Sequence, residues 1–205
     1  MHAEALTKDA AALLPKFTRF KSFYLVGGTS LALQIGHRRS VDFDFFSPEP
    51  LSPRLLEQVK RVFASETVVL TYRSPEQLNL TINGVKTTFS FFNYPVIEPF
   101  VPYQKVPLAS VMEIAAMKAL AVGKRLSFKD YVDWYFLLKE KHITLQEVIT
   151  LSERKFGGDF NDRLFLGQLA SLSDVPTQEI DFLHGAVSRD ELTAYFEQTI
   201  QEFRL

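Results

Sequence analysis

Asp42 and Asp44 stand two residues apart in Val41-Asp42-Phe43-Asp44-Phe45-Phe46. Alternate side chains of an extended strand point the same way, so the two Cβ atoms would lie roughly 6–7 Å apart, within reach of one divalent cation. Phe43 and Phe45 then take the opposite face. Magnesium is commonly held by one or two protein carboxylates plus substrate phosphates, and such a pair is therefore half of a metal site that a nucleotide completes. In a surface turn an Asp-x-Asp is merely solvated. Here the acids alternate with large aromatics on a strand expected to bury one face, where two like charges are costly without a cation.

A second group precedes the acids. Phe23-Tyr24-Leu25-Val26 reads as a short strand ended by Gly27-Gly28, and Thr29-Ser30-Leu31-Ala32-Leu33-Gln34-Ile35 as a helix with a hydroxyl at its N-cap. Glycines let the backbone approach a phosphate, and a helix N-terminus offers unpaired N–H groups and a positive dipole end. Gly27, Gly28, Thr29 and Ser30 are thus candidate nucleotide-binding residues, with the Ser30 hydroxyl within possible reach of phosphate or metal. A tight turn before a capped helix is the plain alternative for Gly-Gly alone. Between this helix and the acids lies His37-Arg38-Arg39. Arg38 and Arg39 are candidates to neutralise triphosphate or RNA phosphate, against the alternative of surface ion pairs. Phosphate turn, short helix, basic loop and paired acids within about twenty residues suit phosphoryl transfer.

These residues need a scaffold. Residues 4–20 carry apolar side chains at helical spacing, with Thr7 as a cap and despite Pro15. Ser52-Pro53 opens a helix to residue 63. Strands are expected at 67–72, 78–82 and 85–92, the last two joined by the hairpin signal Asn83-Gly84. Prolines 95, 99, 102 and 107 break any regular element between 93 and 107. The expected boundary lies there, giving domains 1–107 and 108–205. Beyond it, helices are expected near 109–123, 127–140, 144–155, 161–170 and 188–203, with Gly157-Gly158 as an interruption.

Composition narrows the chemistry. The 205 residues include 23 Lys+Arg and 24 Asp+Glu, net charge -1, so any polyanion site is local rather than a global basic field. The absence of cysteine excludes disulfides, zinc–thiolate sites and thiol nucleophiles. The mixed charge of residues 1–20 does not read as a signal peptide, and no apolar run reaches membrane-helix length. The expectation is a cytoplasmic protein with no membrane partner.

The run Tyr24-Leu25-Val26-Gly27-Gly28-Thr29-Ser30-Leu31-Ala32-Leu33, followed by His37-Arg38-Arg39-Ser40-Val41-Asp42-Phe43-Asp44-Phe45-Phe46, resembles the AbiEii/AbiGii toxin family of nucleotidyltransferases, in the DNA polymerase β-like superfamily. Later, a helix bearing Lys118 and the segment Arg125-Leu126-Ser127-Phe128-Lys129-Asp130-Tyr131-Val132-Asp133 are similar to the family's downstream region. The resemblance implies an α+β fold: a polymerase β-like mixed sheet with flanking helices, then a helical C-terminal domain that completes the nucleotide and acceptor cleft. It implies Mg²⁺ (or Mn²⁺) held by Asp42 and Asp44, and transfer of a nucleoside monophosphate from a nucleoside triphosphate to an acceptor, possible acceptors including RNA and tRNA. A cognate antitoxin protein is a further implied partner. Lys118 becomes a candidate catalytic and nucleotide-binding residue, with a snorkelling surface lysine as the alternative. Asp130, a candidate catalytic residue, and Asp133 lie three apart on one helix and can orient Lys118 or Arg125; helix N-terminal charge complementarity, with Ser127 as cap, is the alternative.

One departure stands out. The superfamily usually places a third carboxylate on a later strand, but Val85-Lys86-Thr87-Thr88-Phe89-Ser90-Phe91-Phe92 has none. Thr88 and Ser90 are weak ligands for a hard ion, so either metal binding leans on the substrate or the scaffold is a catalytically inactive nucleotide-binding or interaction module. A glycosyltransferase using Asp-x-Asp is a weaker reading, opposed by the glycine turn. Among the aromatics, Phe89, Phe91, Phe92 and Tyr94 could stack bases, but core packing is the better expectation for most of them, as for Trp134 and Tyr135.

Overall fold

The computed structural model describes residues 1–122, 125 and 127–204. Gly123, the last residue of one expected helix, and Leu126 lie outside the described residues. The chain divides into two compact units, Met1–Ser110 and Val111–Leu205.

The first unit is a seven-stranded mixed sheet with helices packed on it. Its strands are β1 (Tyr24–Val26), β2 (Phe43–Ser47), β3 (Val68–Arg73), β4 (Gln77–Ile82), β5 (Val85–Phe91), β6 (Val101–Tyr103) and β7 (Val106–Leu108), in the order β3-β4-β5-β2-β1-β7-β6. The β2–β5 and β1–β7 pairs are parallel and the others antiparallel. The hairpin from β4 to β5 turns at Asn83 and Gly84, both at positive φ (48° and 82°), as a two-residue turn compatible with strand twist requires.

The helices are α1 (Lys8–Leu13), α2 (Gly27–Ile35) and α3 (Leu55–Val62). Thr7 caps α1 by accepting from the Ala10 N–H at 3.2 Å. The expected helix over 4–20 does not stay α-helical: Leu14–Arg19 tightens to a 3-10 helix with Pro15 in its first turn, because a proline inside an α-helix removes a donor and clashes with the preceding turn. The resulting path brings Phe17 and Phe20 over the sheet. Phe17 lies 4.5 Å from Phe45 and 5.0 Å from Phe63 between ring centroids, and Phe45 stacks on Phe89 at 5.4 Å. Leu55, Leu56 and Val59 of α3 join the same core.

Two expectations fail here. Residues 93–107 do contain regular structure, since β6 and β7 form a hairpin inside the proline-rich stretch and β7 extends the sheet beside β1. Pro102 and Pro107 face each other in the register. The missing N–H groups are tolerated because opposite residues in alternate antiparallel pairs exchange no hydrogen bonds and β6 is an edge strand. Likewise α2 starts at Gly27 with no side-chain cap, because the Thr29 hydroxyl is committed elsewhere.

The second unit is helical: α4 (Val111–Val122), α5 (Phe128–Lys139), α6 (Leu145–Phe156), α7 (Asp162–Ala170) and α8 (Arg189–Arg204). Ala115, Ala116 and Ala119 are buried on α4, which packs against α5, α6 and α7. Trp134 is fully buried, 5.1 Å from Phe165, and Tyr131 packs on Phe196. Thr144 and Glu147 form a reciprocal capping box at the start of α6. Among the described residues, no helix is long and apolar enough to cross a membrane.

Candidate active site

The alternation read from residues 41–46 appears as burial. Phe43, Phe45 and Ser47 face the core, while Asp42, Asp44 and Phe46 are half-buried. Asp42 lies one residue before β2. The register then sets the neighbours of Asp44: Val26 on β1 to one side and Thr88 on β5 to the other.

The glycine turn is pressed against this acid. A Cβ built on Gly27 would come 2.9 Å from Asp44 Oδ2, and Gly27 has φ +69°. A Cβ on Gly28 would collide with the Arg38 guanidinium and meet Ser40 Oγ at 3.5 Å. Consecutive glycines thus admit a carboxylate and a guanidinium directly onto the backbone at the N-terminus of α2, whose first N–H groups have no partner within the helix.

The loop between α2 and β2 is held by Thr29. Its hydroxyl lies 2.7 Å from Ser40 Oγ and also reaches the Asp42 carbonyl. Thr29, one of the residues expected to cradle phosphate, is buried, and its side chain fixes the approach to β2. Ser30 departs further from expectation. It is fully buried, and its hydroxyl donates to the Ala109 carbonyl at 3.1 Å, where Gln34 Nε2 also donates at 2.9 Å. On a nine-residue helix with β1 beneath it, Ser30 points inward and fastens the segment after β7 to α2; its side chain does not face the glycine turn. The two arginines separate as well. Arg38 is buried over Gly28 and donates to the Arg39 carbonyl at 3.0 Å, whereas Arg39 is exposed.

In the helical unit, Lys118 is buried, which excludes a snorkelling surface lysine. Its ammonium lies 2.7 Å from Asp130 Oδ1 and 2.6 Å from Asp133 Oδ2. Arg125, with 61% of its side chain exposed, donates from Nε to Asp130 Oδ2 at 2.7 Å and from its terminal nitrogen to Oδ1 at 2.9 Å. Burial alone would push the Asp130 carboxyl up, but the Lys118 charge and the Arg125 and Lys118 hydrogen bonds outweigh it and hold that carboxyl below its usual range. Asp130 is thus shared by two cations, and Lys118 by two acids. Ser127 sits at the N-cap of α5 without a side-chain cap bond.

A sequence model of the nucleotidyl transferase AbiEii toxin family, of type IV toxin–antitoxin systems, matches residues 10–205. The chain belongs to this AbiEii family. A relative from Aquifex aeolicus (strain VF5), the uncharacterized protein aq_aa25, is 36% identical over 141 residues, 65% of this chain and 66% of that protein, just under two thirds of its length. Among solved structures, a candidate nucleotidyltransferase from H. pylori aligns with a TM-score of 0.60 at 17% identity, over 96% of this chain and 95% of that one. MenT4, the nucleotidyltransferase toxin Rv2826c of Mycobacterium tuberculosis H37Rv, aligns at 0.51 and 18% identity over 98% and 85%. At these identities the likeness shows a shared fold: a mixed sheet with flanking helices, followed by a helical part.

The family whose model matches is one of nucleotidyl transferases. Gly27, Gly28, Arg38, Asp44 and Thr88 come together in the sheet unit, with Asp42 at the edge of β2. Lys118, Asp130, Asp133 and Arg125 come together in the helical unit. No group of three His, Cys, Asp or Glu side chains able to hold a metal occurs among the described residues. Ser40 was not expected at the site. Its only sequence signal is a hydroxyl two residues before the first acid, but the fold places it beside both Thr29 and Gly28.

Proposed function

We propose that the chain transfers a nucleoside monophosphate from a nucleoside triphosphate to an RNA acceptor, with Mg²⁺ or Mn²⁺ at Asp42 and Asp44, and that it is a toxin restrained by an antitoxin protein. The observation that carries this reading is the contact of the Asp44 carboxylate with Gly27. Metal-binding oxygen and phosphate-binding backbone then address the same few ångströms.

The donor set fits a hard divalent ion. Two half-exposed carboxylates and the neighbouring Thr88 position offer only oxygen, and the missing ligands are those a triphosphate and water supply. Such an ion, when bound, would neutralise the triphosphate and lower the pKa of the attacking hydroxyl. The chain's own residues do the rest. The first N–H groups of α2 receive phosphate oxygens at the Gly27-Gly28 turn. Arg38 supplies fixed positive charge above Gly28. Lys118 gives two of its three donors to Asp130 and Asp133. Lys118 is the residue of the helical unit proposed to serve the reaction, with Asp130 as its positioning residue.

Thr88 favours a second reading. A neutral hydroxyl stands in register beside Asp44, which suits a nucleotide-binding module without turnover. The deciding experiment incubates full-length protein with Mg²⁺ or Mn²⁺, each labelled nucleoside triphosphate and total RNA, alongside Asp42→Asn and Asp44→Asn. Label on RNA from wild type alone is expected. Metal-dependent triphosphate binding with no labelled product would move the conclusion to the binding module.

A further inference from the structure

The sheet unit has two unlike faces. On one lie Leu78, Leu80, Phe43, Phe45 and Phe89, packed in the core. On the other, the register carries a row outward from Asp44 through Thr88 and Asn79 to Tyr72, with Ser90 and Gln77 paired in the next row. Every residue of that second face named here is half-buried or exposed, and Tyr72 retains 53% of its accessible surface. Lys86 is exposed on the same face, and β3, β4 and β5 contain no Asp or Glu.

Direction gives this face its meaning. In phosphoryl transfer the attacking and leaving oxygens are roughly in line. The proposed phosphate turn follows β1, on one side of Asp44; pyrophosphate leaving toward it requires the acceptor hydroxyl to arrive from the opposite side, over β5. That side is the open face. We propose that the exposed face of β3–β4–β5 is the acceptor track, and that it takes the single-stranded end of an RNA. This inference rests on the nucleotidyl-transfer reading of Asp42 and Asp44.

The chemistry of the track fits that occupant. Gln77 and Asn79, whose amides bond each other at 2.9 Å, with Thr88 and Ser90 offer donors and acceptors to base edges and 2′-hydroxyls. Tyr72 offers a ring for stacking, and Lys86 a charge for phosphate. Sheet surfaces of this kind bind unpaired RNA through stacking and edge hydrogen bonds. Strands β3, β4 and β5 themselves carry no carboxylate to repel a polyanion, in a chain that is acidic overall.

The test compares wild type with the double variant Tyr72→Ala/Lys86→Glu, the single variant Lys86→Ala, and Lys60→Glu on the exposed side of α3 as a charge control. A mixed-sequence single-stranded oligoribonucleotide and a duplex of equal length are titrated without nucleotide, and then KM is measured for RNA and for the nucleoside triphosphate. The expected result is a preference for the single strand, a loss of about tenfold or more in its binding and a matching rise in KM for RNA in the double variant. Lys86→Ala should give a smaller loss of the same kind, with KM for the triphosphate and the melting temperature unmoved and Lys60→Glu silent. Unaltered use of RNA by the double variant overturns the inference while leaving nucleotidyl transfer intact. Label passing to a protein acceptor, insensitive to the double variant, also overturns it. Oligonucleotide binding that the double variant loses, in a protein that transfers nothing, supports the track and defeats the reading of the acids instead.

Discussion

Asp42, Asp44 and Thr88 of the sheet unit are half-exposed above a phenylalanine core, whereas Lys118, Asp130 and Asp133 of the helical unit are buried and tied to one another. A second buried pair, Lys155 with Glu113, joins α6 to α4. The candidate acids of the sheet unit are thus open to solvent and to a ligand, while Lys118, Asp130 and Asp133 of the helical unit are buried against one another. Removing an acid from the first should cost activity and little stability. Removing a base from the second should cost stability first, because a buried charge left alone is penalised more heavily than an exposed one.

The largest effect is expected at Asp44. Asp44→Asn keeps the volume and the strand but removes a metal-binding charge. Transfer should fall at least about a thousandfold, about 4 kcal/mol at the barrier, with an unchanged denaturation midpoint. A large loss of stability in this variant would mean that Asp44 is structural, and the contrast between the units would collapse.

Lys118→Met is the reciprocal test. It removes the buried ammonium that Asp130 and Asp133 share, while Arg125 stays on Asp130. The expected loss is about 3–5 kcal/mol in urea unfolding, with the sheet unit's near-ultraviolet signal retained to higher denaturant. Lys118→Arg should recover much of the stability. If it does so without recovering transfer, Lys118 also serves the reaction. If Lys118→Met leaves stability intact and abolishes transfer, the lysine is catalytic alone.

A smaller effect on stability is expected at the glycine turn. Gly27→Ala must hold φ near +69° and push the Asp44 carboxylate aside, which costs about 1–3 kcal/mol. Triphosphate binding, followed calorimetrically, should weaken more than the melting temperature falls. Equal losses would reduce Gly27 to a turn residue.

Much of this contrast was legible in the residues. Period-two alternation marked β2, Asn83-Gly84 marked the β4–β5 hairpin, and helical spacing marked α4 to α8, because each signal is local. The β6–β7 hairpin was not legible. Its strands are three residues long, two positions are proline, and its turn uses Gln104 and Lys105 at positive φ without glycine; only pairing with β1 makes it a strand. Ser30 misled for a related reason. A hydroxyl beside two glycines resembles a phosphate ligand until the helix rotates it toward Ala109. Arg38 and Arg39 are identical in type and adjacent, yet one is buried and the other exposed, a difference decided by the loop that Thr29 and Ser40 close. The polar face from Thr88 to Tyr72 arises from register, which joins residues distant in the chain.

The smallest effect lies in acid. Asp130 has a folded-state pKa below its unfolded value, because Lys118 and Arg125 favour the carboxylate more than burial disfavours it. Its contribution to stability is fully present above the unfolded value of about 3.9 and is lost as pH falls below that value through the folded one, at about 1.4 kcal/mol per unit of displacement. Urea unfolding of wild type should therefore show a falling acid limb below about pH 4, and Asp130→Asn should flatten it while lowering stability at neutral pH. An acid limb that survives unchanged in Asp130→Asn would place the acid-sensitive charge outside the Lys118–Asp130–Arg125 contacts and weaken the comparison.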